Sequence, residues 1–161
     1  MYIAVISDTH RRLPTAVHKL FEGCDLILHA GDIGSPRILQ ELETIAPVLA
    51  VLGNNDLARD YPNTPYQRLE IISGLAVFMA HDQLAVMRYL KTCTGIDGAP
   101  SLPDICIHGH SHQPRNEVVA GVRIINPGSI HQPRGGSSRS VAVLALSIGR
   151  VDEIRFYPLN L

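Results

Sequence analysis

The sequence predicts an α/β sandwich with two β-sheets in the middle and helices outside. Three observations predict it. Strand-sized apolar runs alternate with amphipathic helical segments in the first third, the pattern of a parallel sheet covered by helices. The second half is mostly strand after strand, which calls for a second sheet packed on the first. Apolar runs in both halves end on Asp, His or Asn, so both sheets offer polar groups at strand ends.

The elements follow in order. Residues 2–6 (YIAVI) read as a buried strand. Residues 14–22 read as a helix, with Pro14 at its first position and Val17, Leu20 and Phe21 on one face. Residues 25–29 are a strand. Ser35 caps a helix opened by Pro36, with Ile38, Leu39, Leu42 and Ile45 as its apolar stripe. Residues 47–52 are the third strand. Residues 67–72 and 75–80 form a hairpin across Ser73-Gly74, and Asp82 caps a helix from 83 to about 92. Residues 93–103 read as a loop. Strands follow at 104–108, 116–120, 122–126, 140–147 and 151–157.

With 161 residues, the chain is expected to form one domain, 1–161, with a sizeable core. Fourteen basic and fifteen acidic residues give a net charge of −1, which argues against nucleic acid as an obligate partner. No run is long enough to span a membrane, and the N-terminus enters a strand without a signal-peptide pattern. A cytoplasmic location with no membrane partner is expected. Cys24, Cys93 and Cys106 are odd in number and widely spaced, which suits reduced thiols.

The chemistry is concentrated after the strands. Ser7-Asp8-Thr9-His10 follows the first, Gly31-Asp32 the second and Gly53-Asn54-Asn55-Asp56 the third. His81-Asp82 follows 75–80, and Gly109-His110-Ser111-His112 follows 104–108. In open α/β sheets ligands bind at the carboxyl ends of strands. Asp8, His10, Asp32, Asn54, His81, His110 and His112 supply three oxygen and four imidazole donors and no thiolate. One ion rarely uses that many groups; two ions sharing a carboxylate would. Mixed oxygen and imidazole donors suit manganese, iron, zinc or nickel better than calcium or magnesium. Gly31, Gly53 and Gly109 each precede a proposed ligand and let the backbone turn close to the site.

In this order the motifs D-x-H, G-D, G-N-x-D, H and G-H-x-H resemble the calcineurin-like metallophosphoesterase superfamily. The match runs from residue 8 to 112. The short length, the non-His residue in the third motif and the INPGS…PR segment (Ile125–Ser129, Pro133-Arg134) resemble its small bacterial and archaeal phosphodiesterase branch. The resemblance implies a four-layer α/β/β/α fold and two divalent ions, manganese foremost. It also implies Asp8, His10 and His112 as ligands of one ion, Asn54, His81 and His110 as ligands of the other, and Asp32 as the bridge. Asp32, Asn54 and His81 then carry catalysis through the metals, in which a water made hydroxide attacks phosphorus in line.

The implied substrate is a small phosphate ester, with Asn55, His131 and Arg134 as its contacts. Many relatives carry a proton-donating His where this chain has Asn55, and an amide cannot transfer a proton. A phosphomonoesterase and a non-catalytic scaffold like the retromer subunit are the competing functions. A homo-oligomer is compatible with an exposed edge strand. Of the remaining residues, His29 is expected to orient a ligand and His108 to be structural. His18, Arg11 and Arg12 are expected on the surface, and Asp56 in a turn or cap.

Overall fold

The computed structural model describes residues 1–94 and 98–159. Its strands and helices run β1 (Tyr2–Ile6), α1 (Thr15–Phe21), β2 (Leu26–His29), α2 (Pro36–Glu43), β3 (Val48–Ala50), β4 (Gln67–Ile72) and β5 (Leu75–Ala80). Then come α3 (Gln83–Thr92), β6 (Ile105–Ile107), β7 (Arg115–Val119), β8 (Val122–Asn126), β9 (Ser140–Ser147) and β10 (Arg150–Pro158). Two five-stranded sheets form, ordered β10-β9-β1-β2-β3 and β4-β5-β6-β8-β7. Both are mixed. β1, β2 and β3 run parallel, as do β5, β6 and β8, and the pairings outside them are antiparallel.

Alternation along each strand divides the apolar residues among three layers. Ile3, Val5 and Leu28 of one sheet meet Val77, Met79 and Ile107 of the other in the central layer. Ala4, Ile6 and Ile27 on the opposite face of the first sheet pack on Val17 and Phe21 of α1 and Ile38 and Leu42 of α2. Phe78, Cys106 and Ile124 pack on Val86 of α3. The result is the expected α/β/β/α sandwich.

Local chemistry places the helix ends. The Ser35 and Asp82 side chains accept from Arg37 N and Leu84 N, so both are caps as expected. Pro14 is a correction. It is extended (φ −65°, ψ 144°) and precedes the helix, which starts at Thr15. Its fixed φ is also compatible with extended backbone, so the ring does not by itself choose. Ser73 (φ 51°) and Gly74 (φ 78°) turn the β4–β5 hairpin, as the left-handed conformations of a tight hairpin require. The third strand is shorter than expected because the backbone leaves β2 and Leu52 N donates to Pro65 O. A short 3₁₀ turn, Ala58–Asp60, has no periodic signal and was not predicted. The loop over 93–103 lies partly outside the described residues.

Because the inner strands of each sheet are parallel, their carboxyl ends share an edge. There the sheets are stitched together: His81 Nδ1 lies 2.7 Å from Ala30 O, and His110 N donates to Asp8 Oδ2. Among the described residues no helix is long and apolar enough to cross a membrane.

Candidate metal centre

The site begins with strained backbone. Asp8, His10, Asp32, His110 and His112 all have positive φ, between 44° and 66°. This left-handed region costs a side-chain-bearing residue about 1 kcal/mol or more and is enriched at functional sites. Each strand thus ends abruptly and turns its side chain inward. Glycines make room for this. A Cβ on Gly53 would lie 2.1 Å from Asp32 Oδ1, and one on Gly109 would lie 1.9 Å from Ser7 Oγ and 2.7 Å from Asp8 Oδ2.

Asp8 is fully buried and its two oxygens differ. Oδ2 accepts from Ser7 Oγ (2.7 Å) and His110 N (3.2 Å), whereas Oδ1 has no hydrogen-bond donor. His112 Nε2 lies 3.0 Å from that oxygen. Its Nδ1 faces Gln132 O at 2.5 Å and must carry the proton there, so in the neutral ring Nε2 and Asp8 Oδ1 face each other with lone pairs. Only a proton or a cation can satisfy both. His81 is held likewise: its Nδ1 proton goes to Ala30 O, and its buried Nε2 has no partner. His10 Nε2 is a third such orphan. Buried polar atoms are rarely left unpaired, so three converging on one place fit a centre for cations.

Two overlapping groups result. Asp8, His10 and His112 form one, and Asp8, Asp32 and His81 the other, each with ligand atoms within 4.8 Å of one another. Asp8, which the resemblance gives to one ion only, belongs to both. Asp32 Oδ2 lies 3.5 Å from His81 Nε2 and 3.8 Å from His10 Nε2, between the two sets. His110 and Asn54 are exposed, and His110 Nδ1 rests 3.0 Å from Asn54 Oδ1. The His110 ring stands edge-on to His81, with centroids 5.3 Å apart.

Around these groups lies a frame that sequence reasoning missed. Asp56, expected as a turn or cap, is buried and accepts from Ile33 N (3.1 Å), Gly34 N (2.8 Å) and Gly53 N (2.9 Å). Its carboxylate ties the loop bearing Asp32 to the loop bearing Asn54. Asn55 is set against Asp32, donating from its backbone to Oδ1 (2.9 Å) and from Nδ2 to Oδ2 (2.6 Å). Asn126 Nδ2 donates to Gly109 O, and its Oδ1 accepts from Gly128 N. Ser129 Oγ donates to Asp8 O and accepts from His131 N and Gln132 N. The signal available was the Asn-Pro-Gly-Ser run itself, whose short polar side chains bond backbone at close range.

The expected substrate contacts are distributed around this frame. His131 stacks at a tilt near His10, ring centroids 6.0 Å apart. Arg134 is exposed, and its charge disfavours protonation of His112. His18 is half-buried and bonds Glu41 Oε1 at 2.7 Å, which the surface assignment did not foresee. His108 is buried beside Gly109 O.

Electrostatics follow from burial and the carboxylates. Burial resists ionisation of Asp32, but hydrogen bonds and charge from His81, with both Asn55 donors, hold its pKa well below the usual range. Burial also opposes charge on His81, yet Asp32 and Asp8 outweigh it and raise its pKa. The Asp8 carboxylate raises that of His112 against burial. Proton binding at these raised sites stabilises the metal-free fold below the ordinary histidine pKa, and that contribution is lost as pH rises through the raised values. A metal bound by these Nε2 atoms would compete with protons, so its affinity would strengthen with pH.

His29 behaves oppositely. Its Nδ1 accepts from Gly31 N (3.2 Å), so Nε2 carries the proton and donates to Thr9 Oγ1 (3.1 Å), which donates onward to Ile33 O. The ring thus orients the backbone around Asp8 and Asp32. Complete burial lowers its pKa from 6.5 to about 4. The unfolded chain takes up this proton first, so stability is lost as pH falls from 6.5 towards 4, by about 3 kcal/mol. In a histidine NMR titration the His29 ring resonances are expected to stay fixed between pH 7 and 5.5, where an exposed ring would move. Movement centred near 6.5 would contradict this assignment.

The sequence profile of the calcineurin-like phosphoesterase superfamily domain matches residues 1–149. A probable metallophosphoesterase from Methanothermobacter thermautotrophicus is 40% identical over 164 residues, covering 94% of this chain and 90% of the relative. Among solved structures, one described as a novel archaeal phosphodiesterase superimposes with a TM-score of 0.77 at 26% identity, covering 99% of this chain and all of that one. Zinc-complexed Vps29 from Entamoeba histolytica superimposes with a TM-score of 0.75 at 20% identity, covering 99% and 98%, a likeness of fold alone. The clustered Asp and His donors and this agreement along the chain lead to one statement: the protein belongs to the calcineurin-like phosphoesterase superfamily, in its small prokaryotic branch.

Proposed function

We propose that the chain is a phosphodiesterase that holds two divalent transition-metal ions, manganese foremost, and hydrolyses small phosphate esters. The observation that carries this reading is the convergence of Asp8 Oδ1, His10 Nε2 and His81 Nε2, buried and without hydrogen-bond partners. Such atoms are costly unless a cation completes them. Diester preference is supported by the likeness to the archaeal phosphodiesterase. Asp8, His10 and His112 would hold one ion and Asn54, His81 and His110 the other, with Asp32 between them.

Bound there, the ions would supply a hydroxide near neutral pH and take up charge on the phosphoryl oxygens. The chain's own residues do the rest. Gln132 O and Ala30 O fix the tautomers of His112 and His81, so their Nε2 lone pairs point inward. Asn55 holds Asp32 through both oxygens, keeping it ionised and in one rotamer. His131, Arg134 and Asn55 form the rim assigned to the ester. Asn55 has no proton to give, so diesters with good leaving groups are the expected substrates. A scaffold role is disfavoured because every histidine of the motif set is present.

The test is hydrolysis of bis-p-nitrophenyl phosphate by chelator-treated protein with and without manganese, with Asp32→Ala as control. Turnover is expected to depend on manganese and to fall at least about tenfold in the variant. Absence of stimulation, or turnover that survives Asp32→Ala, would refute the enzyme reading.

A further inference from the structure

A cavity of about 280 Å³ opens beside the candidate metal centre. His81, His110 and Asn54 of the centre line it together with Leu52, Tyr66 and Ala85. Leu52 is buried, whereas Tyr66 is 58% exposed, a large ring held at the surface next to polar groups. An apolar cavity of about 150 Å³ is enough for benzene, so this space takes a single ring system. Its chemistry is asymmetric. Asp82 stands on its lining with a carboxylate already engaged as a helix cap, which repels a second anionic group. The cationic side chains near the centre lie elsewhere: the charges of Arg12 and Arg139 act on His131, and that of Arg134 acts on His112.

We propose that this cavity is the binding site for an uncharged aromatic or heterocyclic group of the phosphate ester, seated against Tyr66 while the phosphate lies on the metal centre. The inference rests on the phosphoesterase reading above. Leu52 and Ala85 exclude water from one side of the ring, and Tyr66 supplies a stacking face. Because Tyr66 is exposed, its removal leaves the core intact. The site therefore selects esters by ring, whereas the metal ligands select the phosphoryl group.

Calorimetric titration of the manganese-loaded protein with inorganic phosphate, methyl phosphate and phenyl phosphate tests this without relying on turnover. Phenyl phosphate is expected to bind roughly tenfold more tightly than methyl phosphate. Tyr66→Ala should bring that ratio close to one, Tyr66→Phe should retain it, and Ala85→Leu should abolish it by filling the space. Inorganic phosphate, which has no ring, should bind all variants alike. Equal binding of both monoesters to the wild type would overturn the ring site yet leave the phosphoesterase reading standing. Failure of all three ligands to bind would overturn both.

Discussion

Asp8→Asn is expected to make the metal-free protein more stable and nearly to abolish the proposed esterase activity. Asp8 Oδ2 already accepts two hydrogen bonds, and an amide oxygen in its place would keep them. The amide nitrogen would then replace the unpartnered Oδ1 and donate to His112 Nε2, 3.0 Å away. Filling an orphaned buried position contributes about 1–2 kcal/mol. For a chain of this size that raises the melting temperature by about 3–6 °C. The gain should grow as pH rises, because the stabilisation that the Asp8 carboxylate gives to protonated His112 is lost there. The same change removes a charge from both ligand groups, because Asp8 belongs to each. A loss of several kcal/mol in metal-dependent charge stabilisation corresponds to roughly a thousandfold in turnover. Thermal melts with chelator and with manganese, beside bis-p-nitrophenyl phosphate kinetics, measure both effects. A variant less stable than the wild type without metal, or stabilised by manganese as fully as the wild type, would show that Asp8 is not a metal ligand.

Asp56→Ala is expected to damage the fold and the centre together. Its carboxylate takes three backbone N–H groups from two loops, and it is 6% exposed. Alanine would leave those donors buried without partners. Hydrogen bonds to charged groups contribute about 1.5–3 kcal/mol each, and they do not simply add, so a loss of about 4 kcal/mol is expected. That is about 8–16 °C in melting temperature. Asp56→Asn keeps one good acceptor and should lose about half as much. Because the two loops carry Asp32 and Asn54, the stabilisation expected from the proposed manganese binding should shrink as well. A melting temperature within about 2 °C of the wild type would refute the role of Asp56 as the tie between the loops.

These residues mark what could and could not be read from the chain. Short-range physics was legible. Ser35 and Asp82 cap helices because each side-chain oxygen reaches a backbone N–H two residues on. The alternation of Ala4 with Ile3 and Val5 put successive side chains on opposite faces, and the layers followed. The donor set was legible because Asp, His and Asn recur at the ends of apolar runs. Pro14 shows the limit of even local rules, since one value of φ serves both helix and extended chain.

Sequence by itself therefore determined the strand and helix grammar, the two-sheet architecture and the residue types gathered at one edge. Only the tertiary structure decided which partners each group meets. Asp56 reaches Ile33 and Gly34, 23 and 22 residues away in the chain, and His110 N reaches Asp8 across 102. Asn55 holds Asp32 because parallel neighbours β2 and β3 bring their ends together. Periodicity reports a face, not a partner. A hydrogen bond is a matter of ångströms, and those distances exist only once both sheets have folded and their edges have met.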